Sequence, residues 1–171
     1  MRAVEPRPVS ASRTVLSHWM GPTDANVAGS VHGGAVMRLC DEAAGTAAAR
    51  HCRRMVVTAA MGRMTFLMPI RVGQLVTFRA SVNAVWRTSM EVGVRVEAED
   101  IATGAVYHTN SAYLTMVAVD EQGRPVPVPP LVLGDDIDRR REREAQLRRR
   151  SALAEREAIL AERAARGEPI P

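Results

Sequence analysis

Hydrophobic residues recur at a helical spacing between Gly34 and about Cys52. One face of this segment holds apolar side chains at the i, i+3, i+4 and i+7 positions, which predicts a helix with one buried side. The residues on that face are Val36, Leu39, Cys40, Ala43, Ala44, Ala47 and Ala48. Because most of them are alanine, neighbouring elements can approach this helix closely.

The pattern changes to alternation, or to strand-like composition, elsewhere in the first two thirds of the chain. The predicted strands cover residues 12–20, 56–66, 75–86, 89–100 and 105–120, with a turn at 68–74. Long strands joined by short turns are typical of an antiparallel sheet. One strand, one helix and four further strands predict an α+β domain in which the helix covers one face of the sheet.

Three segments fall outside this pattern. Residues 1–11 are proline-rich and are expected to be loose, and residues 121–134 form a proline-rich extended exit. Residues 135–171 predict a charged helical tail, which leaves residues 12–134 as the folded domain. Residues 135–168 contain ten arginines and nine acidic residues. A solvated appendage is favoured over an inter-subunit packing helix, and a nucleic-acid-binding arm is least favoured because the acids cancel the field it needs.

Composition narrows the class of protein. The chain has 171 residues, only 4% aromatic residues and a net charge of +4, so base stacking on aromatic platforms is disfavoured and no nucleic-acid partner is expected. Cys40 and Cys52 lie about 18 Å apart if both are on one helix, too far for a disulfide. No secretory signal and no membrane-spanning stretch is recognisable, so the expected location is the cytoplasm and no membrane partner is expected.

The densest group of chemically suggestive residues is the segment NVAGSVHGGAVMRLCDE, from Asn26 to Glu42. Its glycine-rich loop places His32, Gly33 and Gly34 at the start of the predicted helix. A helix N-terminus presents free backbone N–H groups and the positive end of the helix dipole. Such a site can polarise a carbonyl oxygen or hold an anion.

Asp41 lies at the flank of the apolar stripe, where a sheet edge or a second subunit can partly bury it. A partly desolvated carboxylate is a candidate general base or nucleophile. The alternative is that Asp41 and Glu42 form a solvated acidic pair on the helix surface. His32 has two interpretations as well: it is a general base, or it shapes the loop through hydrogen bonds to the backbone.

The sequence lacks the residue patterns of other common kinds of functional site. His18, His51 and His108 have no metal-ligand spacing, so neither a metal nor a cofactor is expected. The sequence GSVHGG does not match the dinucleotide-binding fingerprint, and neither a Walker sequence nor a GxSxG elbow occurs.

At this level of detail the chain resembles a known family. The segments that carry the likeness are DANVAGSVHGGAVMRLCDEAAGTAAARHC, VVTAAMGRMTFLMPIRVGQLVTFRASV, RTSMEVGVRVEAED and SAYLTMVAVDEQGRPVPVPPL. In this order they resemble the hotdog-fold acyl-CoA thioesterases, especially the cytosolic acyl-CoA hydrolase (brain-type) branch and its short bacterial relatives. The most specific element is N-x-x-G-x-x-H-G-G followed by D-E-A, and the likeness covers residues 12–134.

The resemblance implies a hotdog fold, an antiparallel sheet wrapped around a long helix. It also implies a homodimer with two active sites at the interface, each combining Asn26 of one protomer with Asp41 of the other. Association of three dimers into a hexamer is implied as well. The implied reaction is hydrolysis of acyl-CoA to free fatty acid and CoA.

The resemblance also assigns roles within the site. The thioester carbonyl is expected against backbone N–H groups near Gly33 and Gly34, with His32 at the same place. Asp41 acts as a general base on water or attacks directly to give a mixed anhydride, and Asn26 orients the water or the thioester. The segment that contacts CoA in relatives corresponds here to Arg87, Thr88 and Ser89. The alternative for Arg87 is that it is an ordinary turn residue. Arg63 and Arg53 are weaker candidates for CoA.

Three other functions are weighed against hydrolysis. An acyl-thioester dehydratase would use His32 with an acid from the opposite protomer. A non-catalytic acyl-CoA sensor would bind the thioester without releasing thiol. A nucleic-acid-binding module would rest on the arginine-rich tail.

Overall fold

The computed structural model describes residues 5–167. Its elements are β1 (Arg7–Pro8), β2 (Thr14–Trp19), α1 (Gly33–Cys52), β3 (Met55–Met61), β4 (Leu75–Val85), β5 (Ser89–Asp100), β6 (Ala105–Val119), β7 (Leu131–Val132) and α2 (Asp136–Ala165). Short 3₁₀ turns occupy Val9–Ser12 and Pro22–Asp24. No helix in residues 5–167 combines the length and apolar character that crossing a membrane requires.

Five of the strands form one antiparallel sheet in the order β2-β4-β5-β6-β3. The long α1 helix packs against one face of this curled sheet, as the hydrophobic pattern predicts. Strands β4, β5 and β6 are joined in sequence, so the centre of the sheet is a meander, while β2 and β3 lie at its two edges. The predicted α+β architecture is confirmed.

The alanine-rich face of α1 is the centre of the core. Ala43, Ala44, Ala47 and Ala48 have no solvent-exposed area. Small side chains let the helix axis come close to the sheet, where the larger residues Phe78, Leu114 and Met116 fill the remaining space. Cys40 and Cys52 are both buried and unpaired, as expected.

Strand β5 shows how the alternation maps onto the two faces. Met90, Val92, Val94 and Val96 are buried against the α1 side of the sheet. Glu91 lies on the opposite face and is nevertheless buried, which the alternation does not predict. It is covered by α2.

The first half of α2 packs across the face of the sheet opposite α1. The guanidinium of Arg148 donates two hydrogen bonds, of 2.7 and 3.1 Å, to the carboxylate of Glu91 and lies 3.7 Å from the centre of the Tyr113 ring. Ala145 is fully buried beside them. The helix is mostly exposed from Arg150 onward. A charged C-terminal helix is therefore confirmed, and the domain boundary at Gly134 stays a prediction.

Two local expectations are wrong. Residues 5–11 are not loose: β1 pairs in parallel with β7, and the side chains of Val9 and Ser12 at the ends of the following turn are buried. Residues 1–4 lie outside the described part of the chain. The strand predicted over 56–66 ends at Met61, since Gly62 approaches the Tyr113 backbone and the chain then follows β6 without regular pairing.

Candidate active site

Asn26 shapes the loop that precedes α1. Its side-chain oxygen accepts hydrogen bonds from the backbone N–H groups of Ala28 and Ser30, and its amide donates to the Ser30 hydroxyl at 2.9 Å. These bonds hold a tight turn with Gly29 in the left-handed region, at φ 79°. The neighbouring Val27 is fully exposed at the tip of this turn.

The base of the same loop is anchored by Asp24. Its carboxylate accepts hydrogen bonds from the Gly21 amide at 2.9 Å and from the His18 ring at 3.1 Å. These bonds, that from Gly21 foremost, hold the pKa of Asp24 below its ordinary value. The carbonyl of Asp24 in turn accepts the His32 amide, so the loop is fixed at both ends.

His32 caps the N-terminus of α1. Its Nδ1 accepts a hydrogen bond of 2.8 Å from the backbone N–H of Gly34. Gly34 must be small at this point, because a Cβ there would lie 2.9 Å from the same ring nitrogen. The geometry is that of the loop-shaping interpretation of His32.

Gly33 leaves the helix start accessible from one side. Its backbone N–H has no hydrogen-bond acceptor within residues 5–167. A Cβ on Gly33 would lie 3.3 Å from the ring of Phe66, which belongs to the irregular segment after β3. Phe66, Leu67 and Met68 are all partly exposed and form an apolar surface beside the helix start.

Asp41 is half-buried on the side of α1 that faces the edge strand β3. The hydroxyl of Thr58 donates a hydrogen bond of 2.5 Å to Asp41 Oδ1 and also lies 3.5 Å from the sulfur of Met116. Among the described residues, the other carboxylate oxygen of Asp41 has no hydrogen-bond donor. The carboxylate is thus fixed in orientation by Thr58 while one oxygen stays open to a ligand.

The two acids of the sequence motif have different surroundings. Glu42 is exposed and pairs with Arg38 one turn earlier, at 2.5 Å, which is an ordinary helix-surface ion pair. Asp41 lies beside the buried Cys40, whose thiol pKa is raised to about 12 by burial and, to a lesser extent, by the Asp41 charge. Cys40 therefore stays protonated and is not a nucleophile.

Strand β3 leaves the outer edge of the sheet open next to Asp41. Its seven residues, MVVTAAM, carry no charge, and the side chains of Met55 and Val57 are 72% and 50% exposed. Monomeric proteins usually protect such an edge with charges, proline or a covering segment. An uncharged, partly apolar edge favours pairing with another chain.

The segment from Arg87 to Ser89 lies far from the start of α1. Arg87 is exposed in the turn between β4 and β5, and its carbonyl accepts the Val128 amide. Pro129, which follows Val128 in the sequence, accepts a hydrogen bond from His51 in the last turn of α1, so the Arg87 segment lies beside the C-terminal end of this helix. A helix of 20 residues spans about 30 Å, so within one chain Gly33 and Arg87 lie near opposite ends of α1.

The remaining candidates do not extend the site. Arg53 ends α1 in the left-handed conformation, at φ 53°, and Arg63 is exposed in the segment after β3. Across residues 5–167 no group of three or more His, Cys, Asp or Glu side chains is arranged to hold a metal ion.

Thr58 is the residue that the sequence interpretation missed. In β3 the partly buried Val56 packs against the core, and a period of two places Thr58 on the same side. That signal was present in the alternation of VVTAAM. It could not be used because the pairing of β3 with α1 depends on the tertiary fold.

Comparison with known proteins places this arrangement in a family. The thioesterase superfamily model matches residues 28–105. Protein VdlD of Helicobacter pylori is 43% identical over 134 residues, which are 77% of this chain and 76% of VdlD. The cytosolic acyl coenzyme A thioester hydrolase of Rattus norvegicus is 37% identical over 155 residues, which are 90% of this chain but 41% of that protein.

Solved structures show the same fold. A hexameric acyl-CoA thioesterase without ligand superposes with a TM-score of 0.83 at 36% identity, covering 86% of this chain and 95% of that one. The Staphylococcus aureus acyl-CoA hydrolase in complex with butyryl coenzyme A and coenzyme A gives 0.82 at 30% identity, covering 93% and 98%.

Further structures of the Staphylococcus aureus hydrolase carry alanine in place of an asparagine, an aspartate or a threonine. These three residues have the same separations along that chain as Asn26, Asp41 and Thr58 have here. The fold, the sequence identity and the residues around α1 agree: the chain belongs to the hotdog-fold acyl-CoA thioesterase family of the thioesterase superfamily.

Proposed function

We propose that this protein hydrolyses acyl-CoA to free fatty acid and CoA, with Asp41 as the group that activates the attack on the thioester. The observation that carries the proposal is the Asp41 carboxylate held by Thr58 beside an open sheet edge. The printed activities of the relatives support the reaction type.

Asp41 has two routes to the same products. As a general base, it takes a proton from water while the water oxygen bonds to the carbonyl carbon. As a nucleophile, its own oxygen forms a mixed anhydride that water then hydrolyses. In both routes the carbon–sulfur bond breaks, and CoA leaves as a thiolate that needs no proton from the enzyme at that step.

Thr58 positions Asp41 in either route. Its hydroxyl donates to Oδ1, and Oδ2 has no hydrogen-bond donor among residues 5–167. A hydrogen bond to a carboxylate is charge-assisted and short, so it restricts the rotation of the Asp41 side chain. The asparagine, aspartate and threonine chosen for replacement in the Staphylococcus aureus hydrolase support the same trio here.

The helix start is suited to the thioester carbonyl. The Gly33 N–H is available as a donor, whereas the Gly34 N–H is already bonded to His32. A donor at the positive end of the helix dipole stabilises the negative charge that develops on the carbonyl oxygen. The exposed apolar side chains of Phe66, Leu67 and Met68 provide a surface for the acyl chain. The use of Nδ1 as a cap gives no support to His32 as the base of a dehydratase.

A complete site requires two protomers. Within residues 5–167 no hydrogen bond joins Asn26 to Asp41, and the Asn26 loop points its exposed Val27 away from the core. We place Asn26 of one protomer opposite Asp41 of its partner across paired β3 edges. One N–H of the Asn26 amide bonds to Ser30, and the other is available to water or to the thioester.

The same symmetry brings the CoA segment to the site. If two β3 edges pair antiparallel about a twofold axis, the two α1 helices also run in opposite directions. The C-terminal end of α1 in one protomer, where Arg87 lies, is then near the N-terminal end of α1 in its partner, where Gly33 lies. Arg87, Thr88 and Ser89 can thereby reach the nucleotide part of CoA, with the guanidinium binding phosphate. The hexameric relative supports a trimer of such dimers, and the rat enzyme's name supports a cytosolic location.

Thiol release from acyl-CoA of two to sixteen carbons tests the proposal. The wild-type protein is expected to release free thiol, and Asp41→Asn to lower kcat by about 10²- to 10⁴-fold. Glu42→Gln is the matched control, since it removes the neighbouring acid, and should stay within threefold. Binding of acyl-CoA without thiol release would show a sensor instead, and equal losses in both variants would contradict the role of Asp41.

A further inference from the structure

The turn between β4 and β5 is attached to α2 through the side chain of Trp86. The indole Nε1 donates a hydrogen bond of 3.2 Å to the side-chain oxygen of Gln146. One helical turn further along α2, the guanidinium carbon of Arg149 lies 4.1 Å from the centre of the Trp86 ring. The polar edge and one face of the indole are therefore both in contact with α2.

The two α2 residues are suited to hold the ring in one orientation. The Gln146 amide nitrogen donates a hydrogen bond of 2.9 Å to Glu142, so the amide oxygen remains for the indole. A guanidinium over an aromatic face is attracted by the ring quadrupole, and tryptophan gives the strongest interaction of this kind. Rotation of the Trp86 side chain would break both contacts together.

Helix α2 stays on the sheet without these two contacts. Arg148, which lies between Gln146 and Arg149 in the sequence, binds the buried Glu91 and the Tyr113 ring. The contact of α2 with the indole is thus separable from the attachment of the helix. It can be removed by substitution of Gln146 and Arg149 alone.

Trp86 directly precedes the segment to which we assign the nucleotide part of CoA. Its backbone N–H donates a hydrogen bond of 2.8 Å to the Ser89 carbonyl, which closes the turn. The carbonyls of Arg87 and Thr88 accept backbone N–H groups from the chain after β6 and from β6 itself. The sheet side of the molecule thus holds the backbone of the turn, and α2 holds the aromatic side chain at its start.

A fixed turn favours the binding of phosphate by Arg87. The Arg87 side chain is exposed and forms no ion pair within the described part of the chain. An exposed arginine that binds phosphate loses side-chain freedom, and a backbone that had to be ordered as well would weaken binding further. A turn that is already held leaves only the Arg87 side chain to be ordered.

We propose that Trp86 is a positioning residue for CoA: through Gln146 and Arg149, α2 holds the turn of Arg87 in the orientation that binds the nucleotide part of CoA. This inference rests on the proposed function, which assigns Arg87 to that part of the substrate. Because Trp86 acts through Arg87 and not through Asp41, loss of the contact should weaken binding of CoA without slowing the chemical step.

Two variants remove the contact from opposite sides. Trp86→Leu removes the ring and changes no charge, and Gln146→Leu/Arg149→Ala removes both partners on α2. The matched control is Leu147→Ala/Arg150→Ala, which also removes one positive charge, from exposed positions of the same helix.

Calorimetric titration with CoA measures the affinity of each variant without turnover. We expect both contact variants to bind CoA about fivefold more weakly than the wild type, and the control to stay within twofold. Combining the two contact variants should weaken binding by less than a further twofold, because each already removes the same contact. Unchanged affinity in the contact variants, equal weakening in the control, or additive losses would overturn the proposal.

Steady-state thiol release then separates positioning from a general loss of structure. With acyl-CoA, KM should rise about fivefold in both contact variants and kcat should stay within twofold of the wild type. With the corresponding acyl-pantetheine, which lacks the nucleotide, KM should change by less than twofold. Equal rises of KM for the two substrates would overturn the proposal. A wild-type protein that binds CoA but releases no thiol would contradict the proposed hydrolysis alone, because the calorimetric test does not depend on turnover.

Discussion

The Thr58 hydroxyl on β3 donates a hydrogen bond of 2.5 Å to the Asp41 carboxylate on α1. This contact ties the middle of the central helix to an edge strand whose outer side is open. It fixes one carboxylate oxygen, and the other has no hydrogen-bond donor between residues 5 and 167. The proposed site therefore depends on how the helix is placed relative to the sheet edge as well as on the residues of the sequence motif.

Thr58→Val should separate positioning from chemistry. Valine keeps the size and β-branching but removes the donor, so we expect kcat to fall about tenfold to a hundredfold, less than for Asp41→Asn. Thr58→Ser retains the hydroxyl and should recover most of the loss. Steady-state thiol release measures all three variants. A Ser variant as impaired as the Val variant would show that the hydroxyl is not what matters.

His32 provides a test of capping against catalysis. His32→Asn keeps an N-cap acceptor for the Gly34 amide and should retain stability and kcat within about threefold. His32→Ala loses the cap and should lower the free energy of unfolding by about 1 kcal/mol. Urea unfolding and thiol release are measured on both. A large loss of kcat in a fully stable Asn variant would instead give the imidazole a direct part in the reaction.

His51 should make the protein less stable in mild acid. It is fully buried, its Nε2 bonds to the Pro129 carbonyl at 3.0 Å, and its Nδ1 has no hydrogen-bond partner among residues 5–167. Burial lowers its pKa from 6.5. The unfolded chain therefore binds this proton more readily, and the free energy of unfolding falls as pH decreases below about 6.5 toward the lower folded pKa.

The comparison variant for this effect is His51→Gln, whose amide can still donate to Pro129 but does not titrate. We expect the stability of His51→Gln to depend less on pH between 5 and 7 than that of the wild type. Urea unfolding at several pH values gives the difference, in which titration of the carboxyl groups common to both proteins cancels. Parallel curves would show that His51 is not the source.

Arg148→Ala tests how firmly α2 belongs to the folded unit. The change leaves the Glu91 carboxylate buried, with the Asn83 amide as its one side-chain partner in the described part of the chain. We expect the free energy of unfolding to fall by about 2–4 kcal/mol, somewhat below the loss for a fully buried pair because Arg148 is partly exposed. Arg150→Ala, on the exposed part of the same helix, should change it by less than about 0.5 kcal/mol. Similar values for the two variants would support a boundary at Gly134.

Local periodicity was sufficient for the main elements of the fold. The stripe from Val36 to Ala48 and the alternation of β5 are each produced by one buried face, and that face is visible in the sequence. Burial of Glu91 was not visible, because it depends on Arg148 arriving from 57 residues further along the chain. The pairing of β1 with β7 was also missed. Each of these strands has only two residues, which is too short for an alternating pattern to be recognised.

Only part of the candidate site could be predicted from the sequence. The motif from Asn26 to Asp41 is contiguous, so its residues could be selected together, and the structure adds that Asn26 and His32 also hold the loop. Thr58 could not be selected because its distance from Asp41 is set by the pairing of β3 with β6. Gly33 and Arg87 lie near opposite ends of α1 within one chain, so the joint role proposed for them depends on a second protomer, which the sequence of one chain does not display.

Activity recovery in mixed protomers tests the shared site most directly. Asn26→Ala and Asp41→Asn, each inactive alone, are mixed in equal amounts under conditions of confirmed subunit exchange. Half of the dimers are then hybrids with one intact site of two, so thiol release should recover to about a quarter of the wild-type rate. No recovery despite exchange would mean that Asn26 and Asp41 act within one chain, and would contradict the proposed two-protomer site.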